Sequence, residues 1–301
     1  MSRISRRHFL ATAGAAAGAA GLVGRFSLAG PAEAAAPPQV SSGTDLVTLG
    51  KTGIQTTVLG IGTGTRGGRE QRELGQAAFT RLVRHAFDRG LRYIDTADMY
   101  MTHLLVRFAL KELPREEIFI QTKTRAKHPE VAKADIERFR RELRTSYIDS
   151  LLIHAMFDKG WPDQMRAVMD VLLEAREKGR LRAIGVSCHG MDPLVDAVEC
   201  EWNQVHLVRI NPFGEKMDGA PEEVAGQIKK MHEQGRGVIG MKIYGETGFD
   251  SPEKRLQSLR FVLGLGTVHA FTIGFTSPQQ IDETLELIEK AIQLNKQEAA
   301  A

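Results

Sequence analysis

The sequence predicts a (β/α)8 barrel of the TIM type. Short β-rich runs alternate with longer amphipathic ones over most of the chain, and eight such runs fit within roughly 230 residues. The runs are Val58–Gly62, Leu91–Asp95, Ile118–Thr122, Ser150–His154, Ala183–Ser187, Val205–Ile210, Gly237–Lys242 and Ala270–Gly274. A doubly wound sheet would need a complete phosphate fingerprint after its first strand. Gly60-Ile61-Gly62-Thr63-Gly64 lacks the third glycine of G-x-G-x-x-G, and no acidic residue follows about 20 positions on at a strand end.

Before the barrel, Leu46–Leu49 and Ile54–Gln55 flank Gly50-Lys51-Thr52-Gly53, the pattern of a small hairpin. The first barrel helix is expected over Gln71–Arg89, with Leu74, Ala77, Ala78, Leu82 and Ala86 on one stripe and Gly90 ending it. Further helical patterns cover Ala134–Leu143, Asp163–Lys178, Pro221–Gln234 and Pro278–Leu294. The expected division is a barrel domain over residues 45–295, preceded by a linker at 35–44 and followed by a frayed tail at 296–301.

Residues 1–34 read as an address. Ser5-Arg6-Arg7-His8-Phe9-Leu10 precedes an Ala/Gly-rich run from Ala11 to Gly24, and Ala32-Glu33-Ala34 supplies a small-residue cleavage site. The twin arginine and the weakly apolar core predict a twin-arginine (Tat) signal, hence the Tat translocon as a partner and a periplasmic or otherwise exported protein. The chain carries 40 basic and 37 acidic residues. Setting aside residues 1–34 leaves 36 of each sign. A neutral body disfavours nucleic acid as a partner. Nothing in it predicts stable membrane insertion. Cys188 and Cys200 cannot form a disulfide framework, and Cys188-His189 with His154 lacks any supporting zinc motif, so no metal is expected.

Barrel enzymes carry reactive groups at the C-terminal ends of their strands. Three successive ends supply Asp95, with Tyr100 just after it, then Lys123, then His154. A phenol titrates near 10, too high for free proton exchange at neutral pH. A lysine ammonium beside it would favour the phenolate, a carboxylate would hold that lysine charged, and a histidine could orient a carbonyl. Two other readings use the same residues. Lys123 could form a Schiff base in a lyase, although Asp95 should raise its pKa, or the barrel could bind nucleotide and sense redox state without catalysis.

These residues sit in text that resembles the aldo-keto reductases. Tyr93-Ile94-Asp95-Thr96-Ala97-x-x-Tyr100, Ile118-x-x-Thr122-Lys123 and Asp149-Ser150-Leu151-Leu152-Ile153-His154 carry the likeness. So do Leu49-Gly50-Lys51-Thr52-Gly53, Leu59-Gly60-Ile61-Gly62, Ile184-Gly185-Val186-Ser187 and Thr276-Ser277-Pro278-Gln279-Gln280-Ile281-x-Glu283. The resemblance implies an enzyme that moves a hydride between NADPH or NADH and an aldehyde or ketone. Tyr100 would be its general acid, tuned by Lys123 and Asp95, with His154 orienting the carbonyl.

It also implies that the cofactor touches Gly62, Thr63, Ser187, Cys188, Arg209, Asn211, Met241, Lys242, Gly274, Thr276, Gln280 and Glu283, and that Phe157 and Trp161 wall the substrate. Several positions depart from the common family text. Met101-Thr102-His103 replaces a glycine and a Ser-Glu pair, Cys188 an asparagine, Leu207 a glutamine and Met241 the aromatic that stacks on nicotinamide. Gly274 and Gln280 stand where a basic pair grips the 2′-phosphate, with Lys242 and Arg209 as the expected compensation.

Overall fold

A computed structural model describes residues 40–301; the address over 1–34 and the first part of the linker lie outside the described residues. A hairpin comes first, strands β1 (Leu46–Thr48) and β2 (Gln55–Thr57), paired antiparallel with Leu46 opposite Thr57. Its turn seals the N-terminal end of the barrel. Lys51 N donates to Gly235 O at 2.7 Å, Gly50 N donates to His269 at 3.3 Å, and Leu49 is fully buried against Gly237. The described end of the linker is packed as well, for Leu59 N donates to Gly43 O at 2.8 Å.

Eight parallel strands then close on themselves: β3 (Leu59–Gly62), β4 (Tyr93–Asp95), β5 (Phe119–Thr124), β6 (Ile148–Met156), β7 (Leu181–Cys188), β8 (Val205–Arg209), β9 (Gly237–Met241) and β10 (Ala270–Gly274). Strand β10 pairs with both β9 and β3, which completes the ring. All eight predicted strands are present. The interior is side chain, not pore. The Tyr93 ring lies over Gly60, where an added Cβ would come within 2.1 Å of it, and meets Phe119 edge-on at 5.0 Å. Low down, Asp149 ties three strands together: it accepts from Arg115 at 2.6 Å, Arg182 at 2.7 Å and Ile120 N at 3.0 Å.

The helices follow the strands in turn. The first predicted helix is two, α1 (Arg69–Glu73) and α2 (Gly75–Asp88), because Gly75 takes a left-handed φ of 70°. Its buried stripe is Phe79, Leu82, Val83 and Ala86; Ala77 and Ala78 stay outside the core. Helix α3 (His103–Ala109) follows β4, and α4 (Pro129–Leu143) follows β5. The segment expected at Asp163–Lys178 also divides, into α5 (Trp161–Gln164) and α6 (Arg166–Glu177). Helices α7 (Met191–Glu199), α8 (Pro221–Glu233), α9 (Pro252–Gly264) and α10 (Pro278–Ala300) complete the outer ring.

Proline opens α4, α8, α9 and α10, where its missing N–H costs nothing. Ser251 and Ser277 cap the last two, each accepting from the backbone N–H three residues on. The tail expected to fray from 296 is helical to Ala300, and Glu298 pairs with Arg260 of α9 at 2.5 Å. Among the described residues no helix is long and apolar enough to cross a membrane.

Candidate active site

The C-terminal ends of β4, β5 and β6 bring Asp95, Tyr100, Lys123 and His154 to one cleft of about 270 Å³. Side chains alternate along a strand, so Tyr93 and Asp95, and Gln121 and Lys123, share the inward face. Lys123 is fully buried. Its Nζ donates to Asp95 Oδ1 at 2.6 Å and to Thr96 O at 2.8 Å. Gln121 Nε2 donates to the same Asp95 oxygen and to the Tyr93 hydroxyl, each at 2.9 Å. The carboxylate is thereby fixed from two sides.

Tyr100 sits at the end of a 3₁₀ turn, Asp98–Tyr100, that the surrounding residues lock in place. Arg72 donates to Tyr100 O, and Arg138 holds Asp98 at 2.7 Å. The Thr102 hydroxyl bonds the hydroxyls of both Thr63 and Thr96 at 2.8 Å. His103 bonds Thr122 at 2.8 Å and Glu142 at 2.7 Å. Thr102 and His103, the departures from the common family text, are therefore the anchors of the tyrosine turn. The Tyr100 ring meets His154 edge-on at 5.5 Å and 88°, and lies 5.0 Å from the Lys123 ammonium.

His154 owes its aim to a bulge. The pairing of β6 with β7 shifts register between Ile153 and Met156, and Ala155 adopts a φ of 59°. Ser187 Oγ accepts from Ala155 N at 3.0 Å and pins the irregular residue. His154 Nδ1 is buried without a partner, so the other ring nitrogen is the one a ligand can reach.

The electrostatics correct the expectation from sequence. Burial, the Asp95 carboxylate and Glu246 raise the Tyr100 phenol well above its ordinary value, so the proton stays on it at rest. Burial also outweighs Asp95 at Lys123 and pushes that ammonium below the usual lysine range. His154 is lowered to about 2, first by burial and then by the positive charges of Lys123, His189 and Arg125; it is a neutral ring at physiological pH.

Of the residues expected to touch a cofactor, Gly62, Ser187, Met241, Lys242 and Gly274 line the cleft. The others do not. Thr63 is fully buried on Thr102. Cys188 is buried with its thiol donating to Pro193 O, and burial raises its pKa well above the ordinary value. Arg209 is bound to Asp218, which also accepts from Gly190 N. Asn211 is spent on the backbone, donating to Glu215 O of its own loop and to Lys242 O just after β9. Thr276 N and Oγ1 donate to Gln280, and Glu283 is exposed on α10. Phe157 walls the cleft as expected, but Trp161 is 1% exposed, with its indole donating to Pro193 O.

Sequence reading missed Glu246, whose carboxylate accepts from Arg66 N at 3.1 Å and pairs with Lys242 at 3.3 Å. That strap crosses from the loop after β3 to the loop after β9, and both Lys242 and Glu246 have left-handed backbone no pattern announces. It missed Gln121 and Arg125 too, although each lies two residues from Lys123 on the same strand line.

A nicotinamide cofactor fits the inner cleft. Gly62 and Gly274 are register partners on adjacent strands and offer bare backbone. The buried Thr272 hydroxyl lines the cleft without a partner, and Ser187 still has its own proton to donate. The 2′-phosphate end is different. Neither Gly274 nor Gln280 carries a charge, and Arg209 and Lys242 are each committed to a carboxylate.

Comparison with known proteins agrees with this geometry. The Aldo/keto reductase family pattern matches residues 58–256. Aldo-keto reductase YhdN of Bacillus subtilis is 29% identical over 160 residues, 48% of this chain and 46% of its own. Glycerol 2-dehydrogenase (NADP(+)) of Saccharomyces cerevisiae is 28% identical over 210 residues, 59% and 64% of the two chains. The chain spans about half the length of the curated relatives it matches first. The solved aldo-keto reductase AKR11C1 of Bacillus halodurans superposes with a TM-score of 0.64 at 17% identity, over 83% of this chain and 96% of that one, a likeness of fold. A closed parallel barrel, four ionisable groups at one rim and a match over most of the chain have one reading: this protein belongs to the aldo/keto reductase family.

Proposed function

We propose that this protein is an oxidoreductase that moves a hydride between a nicotinamide cofactor and an aldehyde or ketone, with Tyr100 as the proton donor. The observation that carries the reading is one cleft holding the Tyr100 ring, a neutral His154 and the buried Lys123–Asp95 pair. The cofactor, when bound, supplies the hydride; Gly62, Gly274, Thr272 and Ser187 would hold its nicotinamide end.

The protein's part is the proton. His154 offers a carbonyl oxygen a neutral hydrogen bond and no competing charge. Tyr100 keeps its proton at the hydroxyl until negative charge develops on that oxygen, then gives it up. The phenolate left behind is stabilised by the Lys123 ammonium, which Asp95 holds in place. A Schiff base at Lys123 has little support. Its Nζ is tied to Asp95 and Thr96 O, and the side chain is 1% exposed.

The test is titration of the protein with NADH and NADPH, followed by aldehyde-dependent oxidation of whichever binds. Binding with turnover is expected, and affinities for the two within about tenfold, because Gly274 and Gln280 are uncharged and Arg209 and Lys242 are already paired with carboxylates. Failure to bind either would remove the reading. We also propose that residues 1–34 direct export through the Tat translocon, on the strength of Arg6-Arg7 and the cleavage motif. Replacing both arginines with lysine should strand the protein in the cytoplasm; undiminished export of that variant would overturn the assignment.

A further inference from the structure

Charge in the cleft is paired everywhere except at one side. Asp95 answers Lys123 and Glu246 answers Lys242. Arg125 stands two residues beyond Lys123, exposed at the end of β5, and lines the same cleft. Its guanidinium has no ion pair or hydrogen bond among the described residues. Nor is it remote from the chemistry, since its charge acts on both His154 and His189 and helps to hold each ring neutral.

The surroundings are suited to a ligand. Met99 and Phe157 are large apolar side chains left 44% and 59% exposed, and Phe157 packs edge-on against His189 at 5.1 Å. The bare glycine edge for the cofactor is elsewhere, on β3 and β10, whereas Arg125, Met99 and Phe157 follow β5, β4 and β6. An unpaired guanidinium flanked by apolar walls, on the side away from the glycine edge, is complementary to a short carbon chain ending in an anion. Guanidinium binds carboxylate or phosphate through two parallel hydrogen bonds, which fixes orientation as well as affinity.

We infer that Arg125 recognises an anionic group on the substrate, so that the preferred substrates are aldehydes or ketones carrying a carboxylate or phosphate. This rests on the carbonyl-reductase reading above. It adds what that reading leaves open, the chemical class of the compound that is reduced.

The experiment compares matched pairs with and without the charge. Succinic semialdehyde is set against its methyl ester, and glyceraldehyde 3-phosphate against glyceraldehyde, in the wild-type protein and in Arg125→Met and Arg125→Lys. The wild type is expected to prefer at least one charged member of the pairs, and the pair that shows the preference identifies the anion. In Arg125→Met the charged-to-neutral ratio of kcat/KM should fall by about tenfold or more, chiefly through KM, with partial recovery in Arg125→Lys. Calorimetry with succinate or inorganic phosphate, neither of which can be reduced, reads the anion site without turnover and should lose its signal in Arg125→Met. Equal ratios in wild type and variant would overturn the inference. So would a variant whose only change is weaker nucleotide binding, which would give the arginine to the cofactor. If succinate or phosphate binds through Arg125 but no carbonyl compound is reduced, the anion site stands and the reductase reading falls.

Discussion

At the scale of single residues, two features have direct consequences. Met101 follows Tyr100 in a left-handed conformation, φ 53°, and is 68% exposed. An L side chain there costs about 1–2 kcal/mol, and the exposed chain returns little through packing. Met101→Gly should therefore raise stability by about 0.5 kcal/mol after the larger unfolded-state entropy of glycine is counted, read as a higher urea midpoint. A lower midpoint would show that Met101 packs in solution. His154, lowered to about 2, carries no charge to lose between pH 5.5 and 8. kcat/KM for carbonyl reduction should show no inflection near 6.5 assignable to His154. An inflection there that vanished in His154→Gln would mean the ring titrates in the working enzyme.

The elements show how far a sequence can be read. Asp95, Lys123 and His154 were legible because strand ends are legible: β-branched runs stop there, and the barrel rule places reactive groups at those stops. Tyr100 came with them through its spacing. What the sequence hid was of three kinds. Helices α3, α7 and α9 were expected between strands but carry less distinct patterns, because the first two are short and because α9 buries Ser258 beside Leu259 and Val262, which blurs its apolar stripe.

Cofactor residues placed by position alone, such as Arg209, Asn211 and Cys188, turned inward onto Asp218, Glu215 and Pro193, partners set only by the folded chain. The bulge in β6 is the third case, invisible in Ile153-His154-Ala155-Met156 yet decisive for where His154 points. Its pin can be removed. Ser187→Ala leaves the buried Ala155 N–H unpaired and should cost about 1–3 kcal/mol in the nucleotide-free protein, measured by denaturant unfolding. A change under 0.5 kcal/mol, on the order of an ordinary surface substitution, would show that the bulge holds without it.

For the molecule as a whole, buried neutral histidines link stability to pH. His154 and His206 are lowered to about 2 and about 3, both chiefly by burial, and a free histidine titrates near 6.5. Below 6.5 the unfolded chain takes up protons that the folded protein refuses, so stability falls as pH drops. By pH 5.5 each should have cost about 1.4 kcal/mol, and the melting temperature should sit several degrees below its value at pH 7.5. Unchanged melting over that interval would place both rings in contact with water.

The most direct test of a carbonyl reductase built on this barrel is the Tyr100→Phe variant, assayed beside the wild type for nucleotide binding and for carbonyl reduction under saturating cofactor. With the hydroxyl as the proposed proton donor and the ring held by its neighbours, binding should persist while kcat falls roughly 10²–10⁴-fold. A loss smaller than tenfold, with nucleotide still bound, would contradict the assignment and give the proton to another group.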